Sequence, residues 1–166
     1  PNQISVGGIQ RVLQNLLNER VSIRDLPTIL EGISEACAFT RNVTQLTEHV
    51  RSRLARQISE QNSTEDNFIP LVTLSAEWEQ IFSDSIVDQG EDKQLSMAPS
   101  QLQRFIGAVR TTLDELADKE DPPVVLTSPT ARPFVRSIIE RFRPTTSIMS
   151  QNELHPKAKI KTLGQI

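Results

Sequence analysis

Two serines stand where the chain could bind an anion. Ser75 follows the apolar run 69–74 and Ser128 follows the apolar run 124–126, and each run predicts a buried strand. Each serine also opens a predicted helix, and helix N-termini gathered at the carboxyl ends of strands attract negative charge. The pattern therefore marks a candidate site for an anion or a nucleotide. Plain N-capping of two helices explains the same residues and is the simpler interpretation.

Other arrangements of catalytic residue types are missing from the sequence. Ser128 lacks the flanking glycines of a nucleophile elbow. Gly7 and Gly8 do not follow a predicted strand, whereas the glycines of a phosphate-binding loop do. His49 and His155 have no cysteine or second histidine at the spacing of metal ligands, which argues against a metal site. We therefore expect neither an enzyme nor a resident cofactor.

Charged residues are distributed unevenly along a chain whose formal net charge is −3. Residues 61–123 carry four basic and thirteen acidic side chains, whereas residues 124–166 carry seven basic and two acidic ones. The acidic segment predicts either a solvated face or a docking surface for a basic partner. Lys157, Lys159 and Lys161 offer RNA binding as a further alternative, but no aromatic residue accompanies them. We expect no nucleic-acid partner.

The length of 166 residues suits one domain or two small ones. The sequence contains no signal peptide and no apolar stretch of about eighteen residues that could span a membrane. Cys37 is the only cysteine, so an intrachain disulfide is excluded and a reducing compartment is favoured. The chain starts at Pro1 without an initiator methionine. We therefore expect it to be a fragment of a longer protein.

The elements that must position these residues begin with a helical subdomain over residues 1–60. Apolar residues recur there at helical spacing, which predicts three helices. The three stretches are 9–17, 26–37 and 43–58. Asp25 and Asn42 are suited to cap the second and third helices. The face opposite the apolar seam of the third helix carries His49, Arg51, Arg53 and Arg56.

Residues 68–166 predict a small α/β subdomain, which the polar linker 61–67 joins to the first. The expected element order is β-α-α-β-α-β-β, so the fold class is α+β. The predicted strands are 69–74, 124–126, 147–149 and 158–163, and the predicted helices follow Ser75, Ala98 and Ser128. The succession of strand, helix and strand within residues 122–154 is typical of a parallel βαβ unit.

Single residues refine this second subdomain. Pro70 cannot donate a hydrogen bond to a neighbouring strand, so we expect it at a strand start or on a sheet edge. Residues 88–93 contain Gly90 and predict an exposed loop, and residues 118–123 predict the end of the long helix. Trp78 lies on a predicted core face, where packing explains it better than ligand stacking.

Several blocks of this sequence resemble the export-gate family of flagellar and injectisome type III secretion, and the flagellar branch fits better than the virulence branch. The blocks are IQRVLQNLL (9–17), VSIRDL (21–26), ILE (29–31), LTEHVR (46–51), LARQI (54–58), Ser128-Pro129 with Arg132-Pro133, and SQNEL (150–154). They extend through nearly the whole chain at matching spacing. An accidental similarity is therefore excluded.

The resemblance implies that the chain is a C-terminal cytoplasmic fragment. It would comprise the third subdomain, which is helical, and the fourth, which is α/β, of a protein anchored in the bacterial inner membrane by an absent N-terminal part. The family's main site for chaperone–substrate complexes lies largely in absent subdomains. The resemblance further implies a cytoplasmic ring of nine identical subunits that meets export chaperones, substrates and the stalk protein of the ATPase complex. We expect the isolated fragment to be monomeric.

Arg24 and Asp25 are our candidate partner-interface residues. They lie next to the break between the first and second predicted helices, where a ring neighbour could reach them. A local helix cap at Asp25 with a solvated Arg24 explains the same pair equally well. The sequence alone does not separate these two interpretations.

Overall fold

The computed structural model describes residues 4–90, 92–117 and 121–166. The helices are α1 (Val6–Asn18), α2 (Leu26–Ala36), α3 (Val43–Arg53), α4 (Ala55–Gln61), α5 (Ala76–Ser85), α6 (Pro99–Glu115) and α7 (Arg132–Ile139). The strands are β1 (Phe68–Thr73), β2 (Ile86–Gln89), β3 (Asp92–Leu95), β4 (Val124–Thr127), β5 (Ile148–Ser150) and β6 (Lys159–Gln165), and a 3-10 turn covers Gln151–Glu153. These elements confirm the predicted α+β class. Below, α1–α4 are the helical part, and the remaining elements are the α/β part.

Polar side chains start most of these helices, as the sequence predicted. Asp25 accepts a hydrogen bond from the Thr28 N–H, and Asn42 accepts one from the Gln45 N–H. Ser5 caps α1 in the same way. Ala98 before α6 has no side chain that could cap, so this helix begins with Pro99 and no side-chain hydrogen bond.

The third helix was predicted to be continuous, and this prediction is wrong, because the structure has two helices, α3 and α4, that meet at Leu54. The backbone there leaves helical geometry with φ −97° and ψ 20°. The redirection brings α4 to the α/β part, where the Ser59 hydroxyl donates to the Glu153 carbonyl and accepts from the His155 N–H. These hydrogen bonds to residues far along the chain offset the helical hydrogen bonding that is lost at the interruption. Leu54 stays buried, so the predicted apolar seam itself is confirmed.

The main sheet has the strand order β5-β4-β1-β6, and all of its neighbouring strands run parallel. Val125 pairs with Ile148 across β4 and β5, which confirms the βαβ unit predicted around α7. Phe68 pairs with Lys159, so the last strand of the chain lies beside the first. Strand β6 forms one edge, and its residues Lys159, Ile160 and Lys161 are all exposed.

Pro70 occupies an inner strand, so the prediction that it lies at a strand start or on an edge is wrong. It is the third residue of β1 and pairs with Lys161 of β6. The ladder between β1 and β4 begins only at Leu71, which pairs with Val124. At Pro70 the strand therefore has a neighbour on one side alone, and the missing N–H costs no ladder bond.

Residues 88–93 form most of a β-hairpin, so the predicted exposed loop is wrong as secondary structure. Strands β2 and β3 pair antiparallel from Ile86 opposite Leu95 to Gln89 opposite Asp92. The predicted segment includes Glu91, which lies outside the described residues, as do residues 118–120 at the predicted end of the long helix. Gly90 in the turn has φ +68°, the left-handed region that glycine adopts without strain. The hairpin strands are mostly exposed, which explains the weak apolar signal.

The sheet is covered on both faces. One face of the sheet presents Ile69, Leu71, Val124 and Met149 to the apolar residues of the helical part. The other face presents Val72, Leu74, Val125 and Ile148 to α5, α6 and α7. Trp78 is buried there, 5.1 Å between ring centroids from Phe105 in an edge contact, which confirms its packing role. The division into subdomains at 1–60 and 68–166 stays a prediction, and one apolar cluster continues across its boundary.

Candidate interaction surfaces and the charged junction

Arg24 and Asp25 are both exposed, between α1 and α2. The Asp25 carboxylate accepts from the Thr28 N–H at 3.3 Å and from the Thr28 hydroxyl at 2.8 Å, so its capping role is confirmed. The Arg24 guanidinium has no hydrogen bond or ion pair to any residue that the structure describes. A free, exposed guanidinium suits a contact with another chain. Its role at an interface stays a prediction.

Exposed apolar side chains follow directly on α2. Leu26 and Leu30 lie one helical turn apart and are 42% and 43% exposed. We call this pair the α2 strip. Leu17 at the end of α1 is also exposed, at 47%. Apolar residues that a helix presents to solvent in a row are more typical of a contact surface than isolated exposed residues are.

The predicted anion site at Ser75 and Ser128 is filled by the chain itself. The Ser75 hydroxyl accepts from the Trp78 N–H, and the Ser128 hydroxyl accepts from the Ala131 N–H. The Glu79 carboxylate of α5 reaches the same edge of the sheet, where its Oε1 accepts from the Thr127 hydroxyl at 2.8 Å and the Ser128 N–H at 3.1 Å. The Ser128 N–H that an anion would need is therefore already bound by this carboxylate. The structure therefore supports the capping interpretation at Ser75. Ser128 binds the N–H of Ala131, the residue before α7, and α7 itself has no side-chain cap.

Arg132 lies at the centre of a buried charge cluster between the helical part and the α/β part. Its side chain is 0% exposed. Nη1 and Nη2 donate to the two oxygens of Glu19 at 2.9 and 2.6 Å, and Nε donates to Glu48 Oε1 at 2.9 Å. The α/β part supplies the arginine and the helical part supplies both carboxylates. These charge-assisted hydrogen bonds therefore cross-link the two parts.

A second ion pair crosses the same boundary, but here the helical part supplies the arginine and the α/β part supplies the carboxylate. Arg51 of α3 donates through Nε and Nη2 to the two oxygens of Glu153, each at 2.8 Å. Glu153 also accepts from the Ser150 N–H at 3.3 Å and lies 3.4 Å from Arg132 Nε. The prediction that Arg51 lies on an exposed face of its helix is wrong, because its side chain is 3% exposed. We call Glu19, Glu48, Arg51, Arg132 and Glu153 the charged junction.

Glu48 and Glu153, two of the three carboxyls of the charged junction, respond differently to this environment. Burial raises the pKa of Glu48 from 4.5 to about 7, although the nearby Arg132 charge acts in the lowering direction. Burial acts in the same raising direction on Glu153, but the charges of Arg51 and Arg132 together with its hydrogen bonds lower the pKa of Glu153 below 4.5. Glu153 is therefore held ionised, and Glu48 changes its charge near neutral pH.

Sequence reasoning missed the charged junction. Arg51 and Arg132 lie in stretches whose apolar neighbours carry the helical pattern, and the pattern does not indicate partners far along the chain. The one local signal is the spacing of Ser150 and Glu153, which form a capping box around the 3-10 turn. That box fixes the Glu153 carboxylate but does not reveal that an arginine binds it.

A groove of about 560 Å³ lies between the N-terminal ends of α3 and α7. Its lining is Phe39, Asn42, Thr44, Gln45, Glu48, Lys93, Pro129, Thr130, Pro133, Phe134 and Ser137. Phe39 is 68% exposed at its rim. The Asn42 amide donates to Asp92 Oδ1 at 2.5 Å and holds the β2–β3 hairpin against the helical part. Apolar rings beside a few polar groups make this groove suitable for binding, without a catalytic arrangement.

Within the described residues, no helix is long and apolar enough to cross a lipid bilayer. The three tail lysines are exposed, and Lys161 Nζ lies 5.4 Å from the centre of the Phe68 ring. The Phe68 ring is half-buried and already has a cation over its face, which disfavours base stacking on that face.

Comparison with curated proteins shows what the chain is similar to. The FHIPEP family model matches residues 1–159. The flagellar biosynthesis protein FlhA of Caulobacter vibrioides is 54% identical over 166 residues, which are 100% of this chain and 24% of that protein. The low calcium response locus protein D of Yersinia pestis is 30% identical over 155 residues, which are 93% of this chain and 22% of that protein. The chain thus spans about a quarter of the length of these relatives.

Solved structures agree with this result. The C-terminal domain of InvA superposes with a TM-score of 0.91 at 28% identity and covers 99% of this chain and 50% of that one. The nonameric SctV-C of EPEC superposes with a TM-score of 0.85 at 27% identity, and the match covers 99% of this chain and 49% of that one. The structure of the Chlamydia pneumoniae CdsV and CdsO protein complex superposes with a TM-score of 0.88 at 30% identity, and the match covers 99% of this chain and 48% of that one. The chain therefore belongs to the FHIPEP family, and the predicted resemblance to export-gate proteins, closer to the flagellar branch, is confirmed.

Proposed function

We propose that this chain is part of the cytoplasmic ring of a flagellar type III protein-export gate, on the cytoplasmic side of the bacterial inner membrane. In that ring it docks export partners and guides substrates into the channel. The observation that carries the proposal is the 54% identity to flagellar FlhA over the complete chain. The similarity to SctV-C, a protein whose solved assembly is nonameric, supports the ring.

The described surface supports a scaffold role. The α2 strip and the unpaired Arg24 together offer an apolar contact and a free charge on one side of the helical part. A ring subunit requires such a surface because each copy is covered by its neighbour. The charged junction cross-links the helical part and the α/β part through buried ion pairs.

The partners that we propose are identical subunits, export chaperones, substrates and the stalk protein of the ATPase complex. CdsV, a protein of the same fold, has been solved together with CdsO, which supports the binding of a further protein by this kind of domain. Contact with the membrane would be made by other parts of the full-length protein.

Site-specific photocrosslinking tests the ring contact. In bacteria that express the full-length protein with p-benzoylphenylalanine in place of Leu30, ultraviolet light should produce adducts between identical subunits. The same substitution at exposed Thr111 of α6 is the matched control and should give fewer such adducts. Equal yields at both positions, or none at position 30, would contradict the proposed ring surface.

The alternative function, a small module that binds an anion or nucleotide at Ser75 and Ser128, has less support. The Glu79 carboxylate already occupies that edge of the sheet and binds the Ser128 N–H. Isothermal titration with nucleotides separates the two functions. Tight binding that is lost in Ser128→Ala without a loss of stability would favour the alternative.

A further inference from the structure

The charged junction leaves donors unused beside a cavity. Arg51 Nη1 and Arg136 Nε are buried, and neither has a hydrogen-bond acceptor among the described residues. Buried donors without an acceptor are rare in folded proteins, because each unmade bond costs about 1–3 kcal/mol. Such donors indicate that a group from outside the chain completes them.

Both arginines line the same cavity of about 250 Å³. Its remaining lining is Asn18, Glu19, Arg20, Val21, Ile58, Gln61, Asn62, Pro122, Pro144, Thr145, Thr146, Ser147 and Ile148. The cavity lies at the amino-terminal side of β4 and β5. It is therefore distant from Ser75 and Ser128, which follow the carboxyl ends of their strands.

Two carboxylates lie near the free donors without accepting a hydrogen bond from them, and the one nearer to Arg136 Nε is Glu140, whose Oε2 is 3.4 Å away. Glu19 Oε1 lies 3.7 Å from Arg51 Nη1 and 3.6 Å from Arg136 Nε, beyond hydrogen-bond distance. The Glu19 carboxylate is already bound by Arg132 at 2.6 and 2.9 Å. Its charge is therefore engaged elsewhere, and the two free donors remain available.

Arg51 cannot turn away from the cavity to find another acceptor. Its Nε and Nη2 are fixed on the two oxygens of Glu153, and its side chain is 3% exposed. Arg136 is anchored as well, because its terminal nitrogens donate to the carbonyl oxygens of Pro144, Thr146 and Asn18. The two donors are thus held in place before any ligand arrives.

The charge and the polar groups of the lining favour an anion. The lining holds Arg20, Arg51 and Arg136 together with the carboxylate of Glu19. Glu153 pairs with Arg51 and Glu140 lies 3.4 Å from Arg136 Nε, whereas Arg20 has no ion pair among the described residues. The hydroxyls of Thr145, Thr146 and Ser147 add groups that can donate hydrogen bonds. Since water takes about 30 Å³ per molecule, the cavity has room for one tetrahedral oxyanion and several waters.

We propose that this cavity binds one inorganic oxyanion of the phosphate class, held by Arg51 Nη1 and Arg136 Nε. Arg51 belongs to α3 and Arg136 to α7, so the bound anion links the helical part to the α/β part. The site is an addition to the proposed export function and does not depend on it. Its effect is to stabilise the arrangement in which the two parts are closed on each other.

Thermal unfolding of the 166-residue chain tests binding in solution. Phosphate should raise Tm relative to chloride at equal ionic strength, by about 3–6 °C for each tenfold increase above Kd. The slope should disappear in Arg136→Gln and should remain in Arg104→Gln, a control on exposed α6. Arg20→Gln at the exposed rim gives a second variant, with a reduced slope, in case Arg136→Gln does not fold.

Crystals grown without phosphate and soaked in selenate test the position of the anion. An anomalous selenium peak should lie in the cavity, with oxygens at about 2.7–3.2 Å from both free donors. A cavity that holds water only overturns the proposal. A selenium peak without any phosphate-dependent change in Tm indicates an adventitious ion only and overturns it as well.

Discussion

Arg132 and Glu19 form a bidentate ion pair across 113 positions of the sequence. Both bonds, at 2.9 and 2.6 Å, lie on a guanidinium that is 0% exposed. The pair connects α7 of the α/β part to the residue that follows α1 in the helical part. A buried pair of this kind adds little stability relative to apolar packing, but its partial removal is costly.

Removal of the Arg132 side chain should therefore destabilise the chain strongly. Arg132→Ala leaves Glu19 and Glu48 without their main partner, and we expect a loss of about 3–5 kcal/mol in the free energy of unfolding. Urea unfolding monitored by circular dichroism measures the loss. Arg104→Ala is the matched control, since its contact with Glu77 is long, at 3.9 Å, and exposed. A loss similar to that of the control would contradict the role of Arg132.

Replacement of Glu48 should stabilise the protein at alkaline pH. Its pKa in the folded state is raised from 4.5 to about 7, so the stability that its protonated form contributes is fully present below pH 4.5 and is lost as pH rises through 7. The glutamine of Glu48→Gln cannot ionise. The change in the free energy of unfolding that the substitution causes should therefore be more favourable at pH 8 than at pH 4.5, by up to about 3 kcal/mol. Urea unfolding at both pH values checks this. The prediction fails if the difference between the variant and the wild type is independent of pH.

Glu153 should show the opposite pH dependence. Its lowered pKa means that the ionised carboxylate stabilises the folded state above pH 4.5 and that this contribution is lost as pH falls through the folded pKa. Glu153→Gln should cost about 3–5 kcal/mol at pH 7, and the cost should shrink as the pH is lowered below 4.5. The same unfolding experiment from pH 7 to pH 3 measures it. A cost that stays constant over this range would show that the carboxylate charge is unimportant.

A methyl group at Gly32 should weaken the contact between α2 and α3. An added Cβ would lie 3.2 Å from Val50 Cγ2 and 3.4 Å from Val50 Cα, and backbone cannot easily give way. We expect Gly32→Ala to lower stability by about 1–2 kcal/mol although alanine favours helices. Gly107→Ala in α6 is the matched control, because nothing lies within 4 Å of its added Cβ. The control should gain about 0.5–1 kcal/mol from helix propensity. Stabilisation of both variants would contradict the tight contact.

Charge reversal at Arg24 should impair the assembly of the full-length protein. Arg24→Glu removes an exposed guanidinium that has no partner among the described residues, so the fold itself should be unaffected. We expect loss of ring assembly, measured by crosslinking in cells, together with reduced motility. Arg141→Glu, which changes an exposed arginine just after the end of α7, is the control and should leave both intact. Intact rings and motility in Arg24→Glu would remove Arg24 from the interface.

Elements with strong local signals were predictable from the sequence. Asp25, Asn42 and Ser75 cap their helices as expected, because a capping side chain acts on residues three positions away. The parallel pairing around α7 followed from short strands separated by one helix. In each case the deciding interaction is local, and local patterns are visible in one sequence.

Features that depend on distant contacts were not predictable. The break at Leu54 exists because Ser59 binds the backbone at Glu153 and His155. Arg51 appears solvent-facing in the helical pattern, yet its partner Glu153 lies 102 positions away. The β2–β3 hairpin was missed because its strands are polar and exposed, so they lack the apolar alternation that identifies a strand. The first two features depend on contacts far along the chain, whereas the hairpin is a local pairing that lacks an apolar signal.

The position of β6 beside β1 has a consequence for biosynthesis. Phe68 pairs with Lys159, and a ribosome that adds about 5–20 residues per second needs roughly 5–20 s to travel between them. During that interval the emerging polypeptide carries β1 with one unpaired side and with Ile69 and Leu71 ready to associate with other apolar segments. Completion of the sheet thus waits for the synthesis of β6, and nascent chains paused in this interval should be preferred clients of ribosome-associated chaperones.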